Sequence, residues 1–174
     1  MVKKVFALIF SLFVLNGHLF SDNIEKTGNT IQLLIPSIAY GTTFYLDDES
    51  GRNEFYKSFV TNMAVTYGLK YTINERRPNG NDHSFPSAHT SLSFQSATFI
   101  HKRYGLEYAI PAYLASTFVA YSRVEAHEHY TKDVIAGACI GIASSYYFTT
   151  EYKGYNISPM ISNSLYGISV VKSF

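Results

Sequence analysis

A chain of 174 residues supplies one buried core and is too short for two comfortable domains. Its formal net charge is +1, with Lys and Arg scattered, which argues against the basic face or run that nucleic-acid binding requires. Tyr and Phe are abundant, at 15 and 13, Trp is absent and charged residues make up 16%, a mix suited to a boundary between apolar surroundings and water.

The N-terminus reads as an export signal. Lys3 and Lys4 precede an apolar stretch, 5–15, interrupted only by Ser11, and Asn16, Gly17 and Ser21-Asp22 form a polar exit. Residues 1–21 are expected to be a signal peptide or, if uncleaved, a signal anchor. Residues 22–150 are expected to form one helical domain, followed by a tail, 151–174. Within the domain, nearly uncharged segments recur at 30–46, 58–69, 84–100, 108–122 and 134–150. None alternates in strand fashion and most are too long for ordinary strands, so the prediction is all-α: a bundle of about five or six helices. Each segment falls short of the roughly 20 apolar residues that cross a bilayer squarely. The pattern leans only slightly towards an integral membrane protein.

Asp47 to Gly51 and Arg77 to Asp82 read as loops, and Tyr104-Gly105 ends a helix. His101, Lys102 and Arg103 read as a basic loop on the side of Lys3 and Lys4, which would put the chemistry on the outer face of the membrane, towards the periplasm. Gly137 and Gly141, four apart, suit close helix packing. Cys139, the lone cysteine, lies among apolar neighbours and is expected to be a buried, inert thiol. Near its end the tail alternates loosely, with Ile168, Val170 and Phe174 on one face, and reads as a short irregular segment or a hairpin around Asn163-Ser164.

Three stretches carry chemistry. Lys70 to Pro78 (KYTINERRP) puts a lysine at a helix end and Arg77 in a rigid turn, where cations also commonly just offset the helix dipole. Ser84 to Ser91 (SFPSAHTS) opens a helix, with Pro86 suited to a start and Ser87 to a cap. Free amides there make an anion site, beside which His89 would project. Ser122 to Asp133 (SRVEAHEHYTKD) spaces His129 and Asp133 four apart, so the carboxylate can fix one ring nitrogen and leave the other as a nucleophile. Arg123 adds a planar fork suited to phosphate oxygens. A metal site on His127 and His129 competes, but a spacing of two is poor for one helix face. Together the stretches supply what phosphoryl transfer needs: fixed positive charge, an aligned nucleophile and an acid.

The three stretches resemble the signature of the type-2 phosphatidic acid phosphatase and vanadium haloperoxidase superfamily. They match as Lys70…Arg77-Pro78, then Pro86-Ser87-Ala88-His89, then Ser122-Arg123…His129…Asp133. The resemblance covers about 58–150 and departs at Ala88, where the family usually has Gly. It implies a helical bundle in which His129 is the phosphorylated nucleophile, Asp133 orients it, and His89 is the acid and later the base. It further implies that Lys70, Arg77 and Arg123 bind phosphate with help from Ser87 and the Ala88 amide, and that no metal or other cofactor is needed. The expected partner is a phosphorylated lipid or a small phosphate ester in the bacterial envelope. Two other classes fit the same pocket: a non-catalytic phosphate or headgroup binder, and a vanadate-dependent haloperoxidase.

Overall fold

A computed structural model describes residues 24–152 together with the backbone of two strands, 155–162 and 165–172. The candidate signal, 1–21, lies outside the described residues, as do Asn163-Ser164 and Phe174. The helices are α1 (Ile24–Tyr45), α2 (Glu49–Ile73), α3 (Ala88–Tyr104), α4 (Leu106–Glu125) and α5 (Thr131–Phe148). They are followed by β1 (Tyr155–Ser162) and β2 (Leu165–Lys172), an antiparallel pair with Ser162 opposite Leu165, which is the hairpin expected of the tail. The bundle is all-α, as the segment pattern requires.

One boundary differs from the sequence reading. α2 begins at Glu49 rather than near residue 58, because Asp48 caps it by accepting from the Gly51 amide at 2.9 Å. A polar first half had hidden those turns. α3 begins at Ala88, with Ser87 as its cap, and runs on to Gly105, whose φ of 117° ends it. His101, Lys102 and Arg103 are therefore the last turn of a helix and not a loop. Arg103 is buried against Asp48, so it cannot serve as a loop cation marking one side of a membrane.

α3 touches each of the other four described helices. Its centre is nevertheless rich in hydroxyls, which are satisfied locally or across helices. Ser93 and Ser96 donate to the His89 and Leu92 carbonyls at 2.9 and 3.0 Å. Ser91 donates to Asn62 at 2.9 Å, and Gln95 to Ser58 at 2.7 Å. Backbones approach closely where α5 crosses α3. A Cβ on Gly137 would lie 2.5 Å from the Ser87 carbonyl, and one on Gly141 would lie 2.2 Å from that of Ser91. One apolar cluster gathers instead around Ala39, Phe55, Phe99, Ile100 and Ala109, and a second joins Ile31, Ile35 and Val119 between α1 and α4.

Among the described residues no helix is long and apolar enough to cross a membrane. Large apolar side chains nonetheless face outward from α1, α2, α4 and α5, including Leu33, Val60, Leu114 and Ile135. Cys139 is exposed, not buried: α5 packs through its glycine and serine face, which turns the thiol outward.

Candidate active site

The three motif stretches meet at one end of the bundle. Lys70, in the last turn of α2, is buried and donates to the carbonyls of His83 at 2.7 Å and Ser84 at 3.2 Å. The α2–α3 connection thus folds back over its own lysine. The same connection is tied to the α4–α5 turn, where the Asn79 amide donates to the His127 carbonyl at 3.1 Å. The Ser87 amide donates to the Asp133 carbonyl at 3.0 Å, joining the starts of α3 and α5.

His129 and Asp133 are both buried, and Nδ1 of the imidazole lies 3.5 Å from Oδ2 of the carboxylate. That is the outer edge of hydrogen-bonding range. Ser84 completes the contact: its hydroxyl donates to Asp133 Oδ2 and lies 3.5 Å from His129 Nδ1, where it can accept the ring proton. Oδ2 also accepts from the Tyr130 amide at 3.0 Å, while the buried Oδ1 has no partner among the described residues. Nδ1 is thereby engaged with acceptors, and Nε2 is the nitrogen left for chemistry.

Two arginines flank the histidines. Arg123 is held from α1, by Asn29 Oδ1 at 2.9 Å and the Glu25 carbonyl at 2.8 Å. Gly28 permits this approach, since a Cβ there would lie 2.0 Å from the Ser122 hydroxyl. Arg77 donates through Nε to the Asp82 carbonyl at 3.2 Å and pairs through Nη1 with the Glu128 carboxylate. Ser87 caps α3 by accepting from the Thr90 amide at 3.4 Å, so the first amides of that helix, at Ala88 and His89, open towards the same end.

Electrostatics record the crowding of positive charge. Burial, then Arg77, pushes Lys70 down to about 8. Burial, then Arg123 and Arg77, pushes His89 down to about 4. Burial, then Lys70 and Arg77, pushes His129 down to about 3. Both imidazoles are neutral at pH 7, and the crowded positive charge favours an anion. Among the described residues no three His, Cys, Asp or Glu side chains come together in a metal-binding group.

Every expected site residue therefore lies at this end of the bundle. The sequence reading missed Ser84, Asn29, Glu25 and Glu128. Ser84 stood inside a quoted motif without a role. Asn29 and Glu25 lie on a helix outside the motif region, and nothing in their spacing could have tied them to Arg123.

Fold and site geometry define a class, an all-helical bundle that gathers buried cationic and histidine side chains at one end. The PAP2 superfamily matches residues 5–156, a wider span than the three motifs cover, and the chain belongs to that family. The chain is 27% identical to a lipid A 4'-phosphatase of Helicobacter pylori over 97% of its own length and 95% of that protein. It is 36% identical to a lipid A 1-phosphatase of Porphyromonas gingivalis, over 46% of this chain and only 20% of that longer protein. The structure of LpxE from Aquifex aeolicus shares the fold, with a TM-score of 0.61 and 21% identity over 79% of this chain and 92% of that one.

Proposed function

We propose that this protein is a lipid phosphate phosphatase of the bacterial envelope that works through a phosphohistidine on His129. The observation that carries the reading is the closure of three separate stretches around one pocket, with a neutral imidazole backed by Ser84 and Asp133.

In the first step Nε2 of His129 attacks phosphorus and the bond to the leaving oxygen breaks. The proton on Nδ1 stays with the Ser84 and Asp133 acceptors, and the unfilled Asp133 Oδ1 is available as charge develops on the ring. His89 gives a proton to the leaving oxygen. In the second step His89 takes a proton from water, the water oxygen attacks phosphorus, and the P–N bond breaks to release phosphate. Lys70, Arg77, Arg123 and the first amides of α3 stabilise the equatorial oxygens. His89 is held neutral by burial and then by Arg123 and Arg77, which repel its proton. A phosphate dianion offsets those same arginines, so substrate itself raises the basicity of His89 and loads the acid.

Three things favour a lipid substrate. Two of the curated relatives are lipid A phosphatases by name. Exposed Tyr67 and Tyr71 on α2 and Tyr130 beside His129 give the site end an aromatic rim. Large apolar side chains face outward from four of the described helices, among them Leu33, Val60, Leu114 and Ile135, which suits contact with membrane lipid. An outward-facing, periplasmic site follows if residues 1–21 direct export.

The test is phosphate release from phosphorylated lipids in detergent, with excess chelator and with vanadate. Activity is expected to survive the chelator and to be blocked by vanadate, which mimics the five-coordinate transition state. Activity lost with EDTA and restored by zinc or magnesium sinks the mechanism. His129→Ala is expected to form no phosphoenzyme. His89→Ala should slow phosphorylation by an alkyl phosphate by roughly 10²–10⁴-fold while spilling far less rate with a nitrophenyl ester, which leaves without acid help. Label on His129→Ala and none on His89→Ala would reverse the two roles.

A further inference from the structure

We propose that Glu128 is a built-in competitor for the phosphate site, a carboxylate that occupies Arg77 when the pocket is empty and must yield to substrate. The inference rests on the phosphatase reading above and adds a residue that sets how tightly phosphate is held.

The geometry begins with Arg77. Its Nε is engaged by the Asp82 carbonyl and its Nη1 by Glu128, whose second oxygen accepts from Asn79 Nδ2 at 2.9 Å. Glu128 immediately precedes His129 in the α4–α5 turn, and its carboxylate reaches Arg77 and Asn79 of the α2–α3 connection. Its negative charge is felt at two other site groups, His89 and Arg123. Glu128 therefore stands among Arg77, Arg123 and His89, where an incoming phosphate would seek its oxygen partners. The two side chains of the ion pair are 25% and 22% exposed, so the contact can open without disturbing the core.

Lys70, Arg77 and Arg123 supply the fixed positive charge, and Asp133 and Glu128 oppose it. Asp133 is committed to His129 and the start of α5, whereas the Glu128 carboxylate accepts from Arg77 and Asn79 of the α2–α3 connection. A phosphate that takes Arg77 displaces Glu128, and on hydrolysis Glu128 reclaims the guanidinium as product leaves. The carboxylate thus weakens phosphate binding in ground states and hastens release of inorganic phosphate. A merely structural clamp would do the reverse, since loosening Arg77 could only weaken anion binding.

Glu128→Gln keeps the side-chain shape and removes the charge. The experiment compares wild type and Glu128→Gln for inhibition by inorganic phosphate and by vanadate, with direct phosphate binding by calorimetry and melting temperature as a check on folding. Both inhibition constants are expected to fall about tenfold, roughly 1.4 kcal/mol of added affinity, with a lower KM and a kcat limited by phosphate release. Glu128→Ser, which also removes the charge, is expected to shift them in the same direction. Constants that stay the same or rise in both variants overturn the proposal. A wild-type protein that neither turns over phosphate esters nor binds vanadate overturns the phosphatase reading itself, and calorimetry separates that result from a failure of Glu128 alone.

Discussion

The bundle buries an arginine at each end, and the two are treated in opposite ways. Arg103, at the C-terminus of α3, donates Nε to Asp48 Oδ2 at 2.7 Å and Nη2 to Asp48 Oδ1 and to Ser50. Its Nη1 reaches Glu54 at 3.3 Å and the Thr150 and Glu151 carbonyls at 3.1 and 3.2 Å. Burial opposes its charge, but the Asp48 hydrogen bonds together with the charges of Asp48 and Glu54 outweigh that and hold its pKa above the ordinary value. Arg123, beyond the N-terminus of α3, has neutral direct partners among the described residues: Asn29, Ser122 and the Glu25 carbonyl. Burial wins there and its pKa is lowered. A buried charge met by a carboxylate fastens helices together. A buried charge met by dipoles keeps an unspent field, and a ligand anion can collect it.

Exchanging the roles of the two ends is the harshest test of that contrast. Arg103→Met should strand Asp48 in the core and cost about 3–5 kcal/mol of stability, read by chemical denaturation, while vanadate affinity per folded molecule stays near wild type. Arg123→Met should leave the melting temperature near that of wild type and weaken vanadate binding by about 10–100-fold, as for a lost hydrogen bond to a charged group. Equal destabilisation by both variants would show that Arg123 is structural too.

The second test uses pH. His129 and His89 titrate near 3 and 4 in the folded protein and near 6.5 when unfolded. Between those values the unfolded chain binds more protons, so stability is full above about 6.5 and falls as pH drops towards 3. Saturating phosphate should lessen the fall, because an anion favours the protonated rings. Melting curves from pH 7 to 4.5 should therefore be shallower with phosphate, and shallower in His129→Gln without it. The Arg103 end, whose Asp48 carboxyl is held below its ordinary value despite burial, by Arg103 and the Gly51 amide, should respond to acid but not to phosphate.

The smallest expected effect is at Asn29. Asn29→Ala removes one neutral acceptor from Arg123 and should weaken vanadate binding by about fivefold, near 1 kcal/mol, with little change in melting temperature. Titration of vanadate inhibition reads it directly. No change would mean that the Glu25 carbonyl and Ser122 suffice to aim the guanidinium.

The sequence by itself determined much about this protein. Segments free of strand alternation made the bundle legible, turn residues marked its breaks, and three motifs named Lys70, Arg77, Ser87, Ala88, His89, Arg123, His129 and Asp133. These features are local, set by spacing along one stretch of chain, and spacing is what a sequence displays. Other facts depended on which stretches meet. Asp48 and Arg103 looked like two loop charges until α2 and α3 brought them together as a buried pair. Cys139 looked buried by its neighbours in sequence, but the contact of Gly137 and Gly141 with α3 turned it outward. Asn29 gained a role because Gly28 lets α1 approach Ser122, and Glu128 because the α2–α3 connection folds across the α4–α5 turn. Such roles arise from contacts between residues some 50 to 100 positions apart. Only packing decides which of the many polar side chains in a hydroxyl-rich bundle become partners.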